Sequence, residues 1–180
     1  MFAVILCARS ASVTTMRALV LLLLCCCCVP AAWSKGAEVG KPAPAITATL
    51  LDGSSFDLAA LSGKVVVVHF WATWCAPCRV EMPAFEAFYR AHKSEGLAIV
   101  AISLDTRDDL AGVKTAMRDF SYPAALLEYT KAKGYGRIWR VPLTFVIDRH
   151  GVLRRDGFAA TPDIDAAALD RDVLPLLREK

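Results

Sequence analysis

The sequence predicts an α/β domain, and three observations carry that class. Two apolar, β-branched runs, "KVVVVHFW" (64–71) and "LAIVAISL" (97–104), suit strands buried on both faces. Each is followed by a segment with helical apolar spacing. A third apolar run, "PLTFVID" (142–148), leads into a hairpin and then a terminal helical segment, so strands alternate with helices along most of the chain.

The first 34 residues read differently. Arg17 gives a positive flank, and Ala18 to Val29 form an uncharged apolar run ended by Pro30. Ala32-Trp33-Ser34 then supplies small residues at signal-peptidase spacing. The run suits a signal-peptide core and is short for a span of about 20 residues. Residues 1–34 are therefore expected to be a signal peptide, with an uncleaved anchor as the alternative, and 35–180 the folded domain. Met16 is a plausible true start. Leu24 before Cys25 is too bulky for the usual lipid-attachment pattern.

The 180 residues fit one domain with a substantial core. Both basic residues of the leader, Arg9 and Arg17, precede any acid, so from Lys35 onward 19 basic residues face 18 acidic ones. That balance is no electrostatic footprint for nucleic acid.

The elements follow in order. Asp52-Gly53 marks a turn between "AITATLL" (45–51) and "SFDL" (55–58). After the strand at 64–71, Val80, Ala84, Ala87 and Phe88 recur on one side of a helix over about 76–93. Thr106 with Asp109 resembles a capping box for a helix with apolar Leu110, Val113, Met117 and Phe120. "AALL" (124–127) predicts a short strand, and Asp148 to Gly151 a turn into "VLRRDGF". Thr161-Pro162 reads as a cap with proline at the first helical position, opening a helix to Leu177 that bends or ends near Pro175.

Of seven cysteines, Cys7 and Cys25 to Cys28 lie in the leader, where a neutral thiol behaves as a small hydrophobe. Adjacent residues cannot all turn toward one metal ion. The domain keeps one close pair, Cys75 and Cys78, in "WCAPC". Cys75 follows a strand and opens a helix, where unpaired N–H groups and the macrodipole favour a thiolate and lower its pKa from about 8.5. Cys78 is one helical turn on, placed to attack a mixed disulfide, which calls for an exposed attacking sulfur and a shielded resolving one. Pro77 costs little in the first turn. A bridge closing so small a loop gains little unfolded-state entropy, which argues against a structural disulfide. A zinc site needs four ligands, and only two thiols with His69, His92 and His150 remain.

"FWATWCAPCRVEMP" (70–83) resembles the active site of thioredoxin-fold proteins, and more closely the exported thiol:disulfide oxidoreductases of the TlpA-, ResA- and CcmG-like group within the AhpC-TSA/redoxin family. The similarity covers nearly all of the domain. It implies a thioredoxin-like fold, a central mixed sheet flanked by helices, with an N-terminal β-hairpin extension and a central αβ insertion. It implies Cys75 as attacking and Cys78 as resolving thiol, Pro142 as a cis-proline facing them, and Val141 offering backbone groups to an extended substrate. Pro83 matches a kink proline. Trp71 and Trp74 flank the site, with Trp74, Ala76 and Pro77 contacting substrate. Glu81 matches an acid near the thiols that moves protons or raises their pKa values, against the reading of an exposed helix charge.

The resemblance further implies no cofactor and no metal. The implied partners are disulfide-containing exported proteins and a membrane thiol–disulfide electron donor, with the chain a monomer in the periplasm, free or anchored. Cytochrome c maturation and metal-site assembly are the processes it suggests. His69 replaces the buried acid of thioredoxins, as a proton relay or a satisfied core residue, and Leu143 and the missing CcmG-like glutamate weaken the cytochrome assignment. Two alternatives stay open. A peroxiredoxin-like peroxidase needs a threonine three residues before the cysteine, where this chain has Ala72, with Thr73 one residue later. A copper-delivery module would recruit His150 to the pair.

Overall fold

The structure is a computed structural model that describes residues 36–160 and 164–179. The leader and the Thr161-Pro162 cap lie outside the described residues. Seven strands form one sheet in the order β2-β1-β5-β4-β3-β6-β7, with β1 Thr47–Leu50, β2 Ser55–Asp57, β3 Val65–Trp71, β4 Leu97–Ser103, β5 Ala124–Lys131, β6 Leu143–Ile147 and β7 Leu153–Arg155. The helices are α1 Ala76–His92, α2 Leu110–Ala116, α3 Ala166–Asp172 and α4 Leu174–Arg178. β3, β4 and β5 run parallel, while β1, β2, β6 and β7 add antiparallel. The sheet is mixed, as expected.

Every residue of β3 is buried, because both sheet faces are covered. Val65, Val67 and Trp71 pack on one face with Met82, Phe85 and Phe88 of α1 and with Leu169 and Leu177 of the terminal helices. Val66, Val68 and Phe70 face the other way, onto Phe145, Ile46, Phe56 and Tyr135. Among the described residues no long helix packs on this second face. The segment before β1 covers it: Gly40 and Ala43 donate to the carbonyls of Leu153 and Gly151 at the β7 edge, and β1 then joins β5 across the sheet. Between those two anchorages Ile46 is wholly buried. The N-terminal extension is thus a strap as well as a hairpin. The hairpin turn places Gly53 at φ 88°, in the left-handed region that favours glycine.

Three elements depart from their sequence expectations. β5 extends to Lys131, past "AALL", because Ala48 and Thr47 of β1 pair with Thr130 and Lys131 and continue the ladder. The Thr106–Asp109 box does not form reciprocally. The Thr106 hydroxyl donates to the Asp109 carboxylate, a tight turn spans Arg107–Asp109, and α2 begins only at Leu110. The terminal helix starts at Ala166, where the Asp165 carboxylate accepts from the Ala168 N–H. It breaks at Val173, with Pro175 in the first turn of α4. Among the described residues no helix is long and apolar enough to cross a membrane.

If the strap is what seals the second face, Ile46→Ala should lower unfolding stability by about 3 kcal/mol, the range for a large-to-small change in a filled core. Val39→Ala, at an exposed position of the same segment, should change it by under about 0.5 kcal/mol. Urea titration of the two variants checks this, and equal effects would contradict it.

Candidate active site

β3 delivers the chain to the carboxyl end of the sheet, and α1 starts a few residues later. Cys75 is the N-cap of α1, in extended conformation, and its Sγ accepts from the Cys78 N–H at 3.3 Å. The backbone therefore already aims a helix-start donor at the Cys75 sulfur, the arrangement that favours negative charge there. Cys75 and Cys78 are joined as a disulfide with Cα atoms 5.3 Å apart. Cys78 is fully buried, matching a shielded resolving sulfur, but Cys75 is only 4% exposed. The exposed sulfur foreseen from spacing is in this oxidised state nearly covered. Ala76 and Pro77 beside it are exposed.

Phe70 of β3 pairs with Leu143 of β6, so the antiparallel register brings the segment before β6 to the same end of the sheet as Cys75. There the Val141–Pro142 peptide bond is cis. Pro142 is buried, while Val141 is half-buried and packs against both core clusters. Trp71 is wholly buried and Trp74 is 67% exposed, which separates a packing tryptophan from one facing solvent beside the disulfide.

Glu81 is not an exposed helix charge. It is buried, and its Oε1 accepts from the Ile164 N–H at 3.0 Å. It lines a groove of about 360 Å³ with Pro77, Val80, Ala84, Ile164 and Asp165, directly along α1 from the cysteines. Pro83 lies inside α1 and leaves one carbonyl of the preceding turn without its helical donor.

His69 is wholly buried; Nδ1 lies 3.1 Å from the Thr144 hydroxyl and the ring packs against Phe85. Burial pushes its pKa from the ordinary 6.5 down to about 3, so it is neutral near pH 7. Nε2 has no hydrogen-bond partner among the described residues.

Two features escaped the sequence reading. Arg140 sits 5.8 Å from the Trp139 ring and 5.7 Å from the Phe158 ring, and donates to the Phe158 carbonyl, anchoring the chain just before Val141. Buried Asp105, at the end of β4, accepts from both the N–H and the hydroxyl of Thr73. A lone acid after an apolar strand carries no pattern that marks it as a clamp; only the threonine near the cysteine was conspicuous. The Thr73 hydroxyl is committed to that acid.

A Cys-x-x-Cys disulfide at a helix start, with a cis-proline segment at the same end of the sheet, defines the thioredoxin-like class of α/β proteins, and comparison with known proteins agrees. Residues 39–156 match the AhpC/TSA family, and the chain belongs to that family. Thiol-disulfide oxidoreductase ResA of Bacillus cereus is 34% identical over 114 residues, 63% of this chain and 66% of the relative, so the match spans just under two thirds of that protein. Thioredoxin-like protein YneN of Bacillus subtilis is 32% identical over 122 residues, 66% of this chain and 71% of the relative. A thiol:disulfide interchange protein of the thioredoxin family from Chlorobium tepidum TLS superimposes with a TM-score of 0.65 at 30% identity, covering 76% of this chain and 96% of that one. The fold is thioredoxin-like.

Because His69 binds fewer protons folded than unfolded, stability should fall as pH drops below 6.5 and level off near 3. At pH 5 the loss from this residue alone is about 2 kcal/mol relative to pH 8. Urea midpoints at the two pH values should differ accordingly, and His69→Leu should remove most of the difference. An unchanged pH slope in that variant would show that the acid sensitivity lies elsewhere.

Proposed function

We propose that the protein is a thiol–disulfide oxidoreductase that reduces disulfides of exported proteins, with Cys75 as nucleophile and Cys78 as resolving thiol. The observation that carries this reading is the Cys75–Cys78 disulfide set on the N-cap of α1, with a backbone N–H on the Cys75 sulfur. In the reduced protein the Cys75 thiolate attacks one sulfur of a substrate disulfide, forming a mixed disulfide and expelling the other sulfur as a thiolate, which takes up a proton. Cys78 then loses its proton and attacks Cys75 Sγ. The second substrate thiol leaves, and two electrons have passed to the substrate. A dithiol donor, which we place at the membrane, returns them and resets the pair.

Val141 and cis-Pro142 are assigned to hold the substrate segment against Cys75, with Trp74, Ala76 and Pro77 exposed on the other side. Glu81, buried along α1 from the thiols, is assigned to take up the proton as Cys78 is activated. The leader, with its apolar run and small-residue site, supports export to the periplasm. Client proteins with cysteine pairs awaiting haem or metal fit the substrate class.

With a disulfide-bonded polypeptide, Cys78→Ala should accumulate an adduct that dithiothreitol releases, and Cys75→Ala should not. An adduct through neither thiol contradicts the mechanism. Equilibration of the pair with dithiothreitol should give a potential near or below about −270 mV, as for a reductant. A value near about −120 mV would make the protein a disulfide donor.

A further inference from the structure

Asp105 has no part in the exchange just described, yet it grips the loop that carries Cys75. It is 5% exposed, so its carboxylate needs donors to tolerate burial. Its Oδ1 accepts from the Thr73 hydroxyl at 2.6 Å and its Oδ2 from the Thr73 N–H at 2.8 Å. Oδ2 also accepts from the Ser103 hydroxyl, whose oxygen in turn accepts from the Asp105 N–H at 3.0 Å. Burial opposes ionisation here. Hydrogen bonds from the Ser103 hydroxyl, the Thr73 hydroxyl and the Thr73 N–H outweigh it, and hold the carboxyl below its usual value.

We propose that Asp105 is a positioning residue for disulfide exchange: by clamping Thr73 through backbone and side chain together, it fixes the turn between β3 and α1 and so the pose of Cys75. This rests on the oxidoreductase reading above. Two donors from one residue fix both the path of the backbone and the rotamer, two residues before the nucleophile. The turn itself has the Cys75 N–H donating to the Ala72 carbonyl, and the Leu104 N–H donating to the Trp71 carbonyl just before it. None of these bonds involves sulfur. When the disulfide opens, the covalent restraint on Cys75 is lost, whereas the Asp105–Thr73 bonds persist and keep the sulfur at the helix start. The clamp also joins the active-site turn to the segment between β4 and α2, so that segment and the nucleophile share one carboxylate.

The test is alkylation of Cys75 by iodoacetamide in the fully reduced protein across pH, beside the exchange rate with a disulfide-bonded polypeptide. Asp105→Ala should slow exchange about tenfold, since small misplacement of a reacting group is costly in rate, and move the alkylation midpoint to higher pH as the helix-start N–H loses its sulfur. Asp105→Asn still accepts through its amide oxygen from the Thr73 N–H, and its NH2 can donate to the Thr73 hydroxyl; it should stay within about threefold of the parent. Should Asp105→Ala not fold, Thr73→Ala removes only the hydroxyl donor and should slow exchange about threefold. A role confined to stability would lower the melting temperature and leave the rate and midpoint of the folded variant unchanged, and that result overturns the proposal. So does failure of Asp105→Asn to rescue. Alkylation needs no protein substrate, so it reads the clamp even if Cys78→Ala traps nothing, an outcome that would overturn the oxidoreductase reading instead.

Discussion

The hydrogen bond from the Cys78 N–H to Cys75 Sγ is the contact around which the domain is arranged. It exists only if a strand ends and a helix starts within a few residues, with the helix axis directed so that its free amides meet the first cysteine. β3 meets that demand because it is a central strand, held on both sides by β4 and β6 and buried on both faces. α1 is pinned by Met82, Phe85 and Phe88 on the same layer as the disulfide. A helix start free to shift by a fraction of a turn would lose the alignment, so the chemistry rests on the packing of that layer.

The opposite face has a different constraint. With no long helix on it among the described residues, it is sealed by the strap from Gly40 to β1, by Phe56 of β2 and by Tyr135 before the cis-proline segment. Tyr135 and Phe145 meet edge to face at 4.9 Å, in the same layer as Ile46 and Phe56. The cis-proline segment is thereby built on the same core that the strap closes.

Much of this was legible in the sequence, and what was not has physical reasons. β3, β4 and the start of α1 are local facts: continuous β-branched runs and a cysteine at a strand-to-helix junction. The stripe read on α1 was off by part of a turn: Val80 and Ala87 are exposed, and Met82 and Phe85 join Phe88 on the buried face. The cis bond at Pro142 was reached by resemblance, because X–Pro pairs alone favour trans. The second half of β5 was missed since "EYTK" becomes strand only through its β1 partner. The capping of α3 by Asp165 was missed because several nearby side-chain oxygens could cap a helix there, and only the fold decides which one reaches a backbone N–H. Glu81 offers the sharpest case. Its place in α1 is readable, but its burial depends on Ile164, 83 residues away, folding back over the groove.

The two outermost strands, β2 and β7, are three residues long each, and the strap's bonds to Gly151 and Leu153 occupy groups beside β7. Long bare strand margins invite pairing with any extended chain. Short, partly occupied margins leave little template for such pairing, so two copies of the domain have little bare edge on which to join strand to strand into an aggregate.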